Sequence, residues 1–176
     1  MKNLLTILTI ILTSIPCFSQ ITKSVWLIGG SASFSSFKYP VQGSPTQINI
    51  GISPNIGYFL IDKLAVGASA SFTSDYFSDY PGKTNFFTVG PFARYYFLDT
   101  ESVFNLFAQT GYEIQFQNKG NDPVSIYSIS AGPNIFLNQN VALEFGFGYT
   151  YTPFNKINVG IKTFLTIIGL QIHLNK

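Results

Sequence analysis

The chain has 176 residues, of which Lys and Arg number 10, Asp and Glu 8, and charged residues together only 10%, against about 25% in a typical soluble domain. That length suits one domain, and a water-facing surface of that size normally requires far more charge. A net charge of +2 without any Lys/Arg cluster also argues against a nucleic-acid partner.

Residues 1–19 read as an export signal. Lys2 supplies the positive start, Leu4 to Ile15 the apolar run, and Cys17-Phe18-Ser19 a small-x-small cleavage site before Gln20. The run is shorter than the roughly 20 apolar residues of a transmembrane helix and stops at Pro16. A buried N-terminal strand and a lipidated Cys17 are the alternatives, and Pro16 suits the second poorly. Cleavage after Ser19 removes the only cysteine, and with it disulfide and thiol chemistry. The domain then comprises residues 20–176.

From there the chain alternates. Side chains on a strand point to opposite faces in turn, and most segments place large apolar residues on one face and small or polar ones on the other. In the first strand Trp26, Ile28, Ala32 and Phe34 oppose Gly29, Ser31, Ser33 and Ser35. After a loop over Lys38–Pro45, the second sets Ile48, Ile50, Ile52, Ile56 and Tyr58 against Gln47, Asn49, Gly51, Ser53 and Gly57. A turn at Ile61–Lys63 leads to the third, with Leu64, Val66 and Phe72 opposite Ala65, Gly67 and Ser69.

A polar loop is expected over Ser74–Asn85, then a fourth strand with Phe87, Val89, Tyr95 and Phe97 opposite Thr88, Phe92, Arg94 and Tyr96. Asp99–Ser102 is a turn. The fifth strand sets Phe104, Leu106, Tyr112, Ile114 and Phe116 against Asn105, Gln109, Glu113 and Gln115, with Phe107 breaking the pattern. Lys119–Pro123 is loop, and the sixth strand alternates Tyr127, Ile129 and Ile135 with Ser128, Ser130 and Asn134 until Phe136 interrupts it. Beyond the Asn138–Asn140 turn, the seventh strand, Val141–Tyr151, is the clearest: Val141, Leu143, Phe145, Phe147, Tyr149 and Tyr151 against Ala142, Glu144, Gly146, Gly148 and Thr150. A last loop over Thr152–Lys162 precedes an eighth strand with Ile168, Leu170, Ile172 and Leu174 opposite Gly169, Gln171 and His173, blurred at Leu165 and Ile167. Pro54, Pro91 and Pro133 occupy matching apolar-face positions in what reads as a hairpin used three times, and suggest bulges or breaks near one rim.

Eight antiparallel strands of this kind close into an up-and-down barrel, which removes exposed edges. The polar face decides which way it faces. It carries Gly, Ser, Thr, Asn and Gln with few charges, as a narrow lumen requires, whereas strands facing water would carry many Lys and Glu. The apolar face has aliphatics mid-strand and aromatics toward both ends (Trp26, Tyr58, Tyr95 and Phe97; Phe72, Tyr112, Phe116, Tyr149 and Tyr151), like the girdles of a membrane barrel. The expected fold is all-β, an eight-stranded antiparallel up-and-down transmembrane barrel, with longer external loops alternating with short periplasmic turns. A soluble lipocalin-like carrier, with the apolar face inward, is the alternative.

Signal, strands and loops together resemble the small outer-membrane β-barrel proteins of Gram-negative bacteria, the porin-like outer membrane protein β-barrel domain family. Asn55–Phe72 and Asn134–Tyr151 are the most family-like segments, each a strand–turn–strand unit. The resemblance implies an outer-membrane location, contact with outer-membrane lipid and insertion by the barrel-assembly machinery, and leaves the activity open.

Arg94, Glu113 and Glu144 are the strand-interior charges expected in the lumen. Arg94 and Glu144 each lie a few residues from a short turn and are expected at similar depth. A buried charge is costly unless paired, so an Arg94–carboxylate bridge closing a packed lumen is expected; the alternative is a charged constriction in a solute path. His173 is the only histidine and has no acidic or second histidine neighbour at ligand spacing, so neither metal nor cofactor is expected. Outer-membrane lipid A deacylases resemble the chain in size and topology, but pair their histidine with a nearby serine, while Gln171 and Asn175 flank His173. Tyr76, Phe77, Tyr80 and Phe154 are assigned to external loops, where they can anchor a partner, cap the barrel or touch headgroups. The reading is a monomeric, non-enzymatic envelope protein acting structurally or through its surface loops. A narrow channel for small or hydrophobic solutes is the second reading, and a lipid-modifying enzyme the third.

Overall fold

The structure, a computed structural model, describes residues 21–38, 46–77, 80–117, 122–154 and 159–174; the export signal lies outside them. Eight strands follow one another: β1 (Trp26–Lys38), β2 (Thr46–Ile61), β3 (Leu64–Phe77), β4 (Tyr80–Tyr96), β5 (Phe104–Gln117), β6 (Val124–Phe136), β7 (Val141–Phe154) and β8 (Val159–Leu174). Each pairs antiparallel with its sequence neighbours, and β8 returns to β1 to close the barrel. The expected all-β up-and-down barrel is what forms.

The faces are as the alternation predicts. Ile50, Ile52, Phe72, Ile129, Phe145, Ile168 and their neighbours stand exposed on the outside, while Gly51, Ser69, Thr88, Glu144 and Gln171 are buried inside. An apolar exterior on closed strands is the arrangement that satisfies every wall and leaves lipid as the solvent. Aromatic pairs mark two levels: Trp26–Tyr58 and Tyr95–Phe97 near one end, with ring centroids 5.1 and 5.2 Å apart, and Phe72–Phe87, Tyr112–Tyr127 and Tyr149–Phe164 toward the other.

The expected alternation of loop lengths is corrected. Residues 62–63, 97–103 and 137–140 join strands at the end that carries both described termini, and residues 39–45, 78–79, 118–123 and 155–158 join them at the far end. Two stretches read as loops are strand: most of Ser74–Asn85 belongs to β3 and β4, and most of Thr152–Lys162 to β7 and β8. Ser74 pairs with Asn85, its Oγ donating to Asn85 Oδ1 at 2.8 Å, and Phe154 pairs with Val159. Beyond the apolar band the outward face no longer has to be apolar, so the pairing continues while the hydrophobic alternation loses its cause.

Of the bulges or breaks expected at the three prolines, breaks are what form. Each proline-bearing strand pairs through its proline with the strand before it, Pro54 with Gly30, Pro91 with Ala68 and Pro133 with Leu106; the register shift of the β3–β4 ladder lies elsewhere, between Tyr76 and Phe77. Toward the strand after it, the ladder lapses beside each proline and resumes in the same register, as from Ile52↔Phe72 to Asn55↔Ser69. A ring nitrogen that cannot donate faces that side. At every second seam a glycine lets the adjacent backbone approach: a Cβ on Gly29, Gly67, Gly90 or Gly132 would collide with the carbonyl oxygen of Leu170, Ile56, Tyr112 or Phe145. The β1–β8 ladder is short, running from Trp26↔Leu174 only to Phe34↔Thr166.

Candidate functional site

The half of the lumen nearest the termini is solid. Phe59 of β2, Phe92 and Tyr96 of β4, Phe107 of β5 and Phe136 of β6 are buried there with Ile21, Val25 and Leu27. The two positions that broke the polar alternation, Phe107 and Phe136, point inward and belong to this plug. The segment before β1 closes it from below: Lys63 donates its backbone N–H to the Ile21 carbonyl at 2.8 Å, and Ser24 and Phe59 bond to Phe59 and Val25 in turn at 2.9 and 3.0 Å.

Arg94 and Glu144 meet across the lumen above the plug. The guanidinium of β4 donates from Nη1 and Nη2 to the two carboxylate oxygens of β7, at 2.5 and 3.2 Å. Its Nε donates to Gln109 Oε1 at 2.8 Å, Nη1 reaches the Tyr96 hydroxyl at 3.4 Å, and Cζ lies 4.7 Å from the centre of the Phe107 ring. Asn134 donates to the same Tyr96 hydroxyl at 3.4 Å. A planar donor fork against a carboxylate is the arrangement in which arginine outperforms lysine. The side chains are 4% and 1% exposed, so the pair lies out of water, and four of the five guanidinium N–H groups have an acceptor.

Glu113, the third charge expected in the lumen, does not join them, so the three do not form one cluster. It stands four residues beyond Gln109 on β5, about 13 Å along the strand, and accepts a long bond from Ser128 Oγ at 3.4 Å. The far half of the lumen holds another acid that the sequence reading missed. Asp75, placed there in a loop, is buried on β3 and accepts from Gln47 Nε2 at 2.7 Å and Asn49 Nδ2 at 2.5 Å. Its signal was its phase: it continues the inward series Ser69, Ser71, Thr73.

His173 lies inside the plug, fully buried, with its ring 5.1 Å from Phe136, 5.9 Å from Phe59 and 6.2 Å from Tyr96. Neither ring nitrogen has a hydrogen-bond partner, and neither does the side-chain amide of Gln171. No hydroxyl or carboxylate engages the imidazole as a hydrolytic triad would, and among the described residues no three His, Cys, Asp or Glu gather as metal ligands. The loop aromatics prove to be strand rims. Tyr76 and Phe77 end β3, Tyr80 begins β4 and Phe154 ends β7, so the first three share one hairpin and Phe154 stands three strands away.

No protein-family model matches the sequence, and no curated protein matches it. Solved structures do resemble it. Neisserial surface protein A is 18% identical, with a TM-score of 0.58 over 84% of this chain and 96% of its own. The N-terminal β-barrel domain of Pseudomonas aeruginosa OprF is also 18% identical, with a TM-score of 0.57 over 87% and 98%. The Yersinia pestis outer membrane protein Ail, in a phospholipid bilayer nanodisc, is 14% identical, with a TM-score of 0.50 over 86% and 100%. The chain therefore has the fold of the eight-stranded transmembrane β-barrels of Gram-negative outer membranes.

Proposed function

We propose that the protein is a non-enzymatic outer-membrane barrel that carries out its role through the hairpins it projects beyond the membrane at its far end. The observation that carries this reading is the sealed lumen. Five aromatic side chains and the Arg94–Glu144 pair fill the end nearest the termini, and a barrel of about eight strands has an interior just wide enough for side chains to fill. The charges that a solute path would use are bound to each other, and the only histidine is enclosed by aromatic rings. What remains available to a partner is the far rim, with Tyr76 exposed on it. In this reading the barrel inserts as a monomer, through the barrel-assembly machinery, with outer-membrane lipid around it.

The test is conductance across a planar bilayer. Purified full chain, checked for the heat-induced gel shift of a folded barrel, is expected to give no steady current. A current that changes when Arg94→Gln or Glu144→Gln is introduced would establish the narrow-channel reading instead. Lipid A from cells expressing the protein is expected to match that of cells without it; an altered lipid A that reverts with His173→Ala would make the barrel an enzyme.

A further inference from the structure

At the β1–β8 seam two neighbouring strands part while both continue. Their ladder stops at Phe34↔Thr166, yet β1 runs on to Lys38, paired with β2, and β8 begins at Val159, paired with β7. β6 and β7 also part beyond Tyr127↔Tyr151, but for fewer residues. Eight residues separate Trp26 from Phe34, which at about 3.3 Å each and a tilt of about 40° is a rise of about 20 Å. That places the parting just below the top of the ~25 Å apolar band, where acyl chains meet headgroups and unpaired backbone groups can reach water.

A cleft of about 330 Å³ opens there, and its lining comes from both faces of the wall. Phe34, Phe147 and Phe164 belong to the outer face; Ser35, Gly148 and Leu165 belong to the lumen. The cleft is thus bounded by residues of both faces. Phe147 and Phe164 flank its outer mouth at 76% exposure each, the most exposed large apolar side chains among the described residues. Its inner side on β8 is apolar: a Cβ on Gly148 would lie 2.8 Å from Leu165 Cδ1 and 3.2 Å from Ile167 Cδ1. Below it on the outside, a furrow of about 500 Å³ runs over Gly30 and Ala32, between Ile52 and Pro54 on one side and Ile168 and Leu170 on the other. Ala32 and Ile168 are next in line on the outer face to Phe34 and Thr166, so furrow and cleft form one track.

We propose that this track is a lateral site for one acyl chain of a membrane lipid, which lies in the furrow and turns through the parted seam into the far half of the lumen, against Leu165 and Ile167. The occupant follows from where the track opens: its outer mouth faces bilayer, and its lining is mainly apolar, with Ser35, Ser36 and Thr166 at the parted end. The plug beneath makes it a binding site, with no continuation to the other end.

The experiment reconstitutes the full chain in phosphatidylcholine vesicles containing a small fraction of phosphatidylcholine with a diazirine in one acyl chain. Photolysis and mass spectrometry then map the labelled residues. Label is expected at the lumen-facing Ser35 and Leu165 as well as on outward side chains, and not at Ser69 or Thr88 on the opposite inner wall. Gly148→Phe, which fills the cleft against flexible side chains, is expected to lose the label at Leu165 and keep it at Phe145; Leu165→Trp with readout at Ser35 serves if that variant does not fold. Label confined to outward-facing residues in the wild type would overturn the proposal. So would unlabelled Phe147 and Phe164 in a protein that cross-links as a dimer, because a second copy would then cover the seam.

Discussion

Glu144→Gln removes the negative partner of a buried charge while preserving shape. Because the two side chains are only 4% and 1% exposed, the screened-surface regime does not apply, and breaking such a pair costs about 3–5 kcal/mol. The glutamine carbonyl can still accept one of the two bonds, and Gln109, Tyr96 and the Phe107 ring remain around the guanidinium. The expected loss is therefore at the lower end, about 3 kcal/mol, or more than a hundredfold in the unfolding constant at about 1.4 kcal/mol per factor of ten. Arg94→Met combined with Glu144→Leu removes both charges and keeps an apolar stem against Phe107. It is expected to recover most of the loss, since apolar replacements of a whole buried pair are often neutral or better. Reversible urea unfolding in lipid vesicles measures both, read by Trp26, the single tryptophan, which stands 42% exposed on the outer face and leaves the bilayer on unfolding. A loss below about 1 kcal/mol for Glu144→Gln, with an unchanged urea dependence, would refute the reasoning. A double variant no more stable than the single one would do the same.

Three further outcomes follow from the same interior. His173→Leu replaces two buried ring nitrogens that lack partners by an apolar group and is expected to leave stability unchanged or raise it by about 1 kcal/mol, measured by the urea midpoint. Gly132→Ala would drive a methyl into the Phe145 carbonyl, a backbone atom that cannot swing aside; a loss of about 1–3 kcal/mol and a weaker gel shift are expected. Lys63 closes the β2–β3 turn with φ of 68°, so Lys63→Gly is expected to gain about 1 kcal/mol from relief of the left-handed conformation. Its exposed contact to Asp99, 3.8 Å long, is weak enough for that gain to survive.

Where lipid meets the wall, the sequence was readable. The outward series Ile48 to Tyr58 and Val141 to Tyr151 have to be apolar, so strand order, faces and barrel closure could be derived from them, as could the inward Arg94, Glu144 and His173. Phe107 and Phe136 were visible only as exceptions. A rule that a lumen is polar cannot anticipate that its sealed end is a hydrophobic core, although both lie close to a turn, as a plug requires. Depth was readable for one pair: Arg94 and Glu144 each lie a few residues from a short turn, which places them at one level, and they are the two that meet, whereas nothing in the alternation set Glu113 apart from them. The far hairpins were hidden for a different reason, because an outward face beyond the apolar band need not be apolar and the alternation that identifies a strand is lost.

The four glycines at alternate seams leave no room for a side chain between neighbouring strands, at β8–β1, β2–β3, β4–β5 and β6–β7. Between these seams lie the strand pairs β1–β2, β3–β4, β5–β6 and β7–β8. Arg94 on β4 and Glu144 on β7 belong to different pairs, so the ion pair is a crossbar whose span depends on how closely the strands at the glycine seams approach. A larger side chain at one of those seams would push the strands apart and strain the bridge, even though no charged residue had been touched.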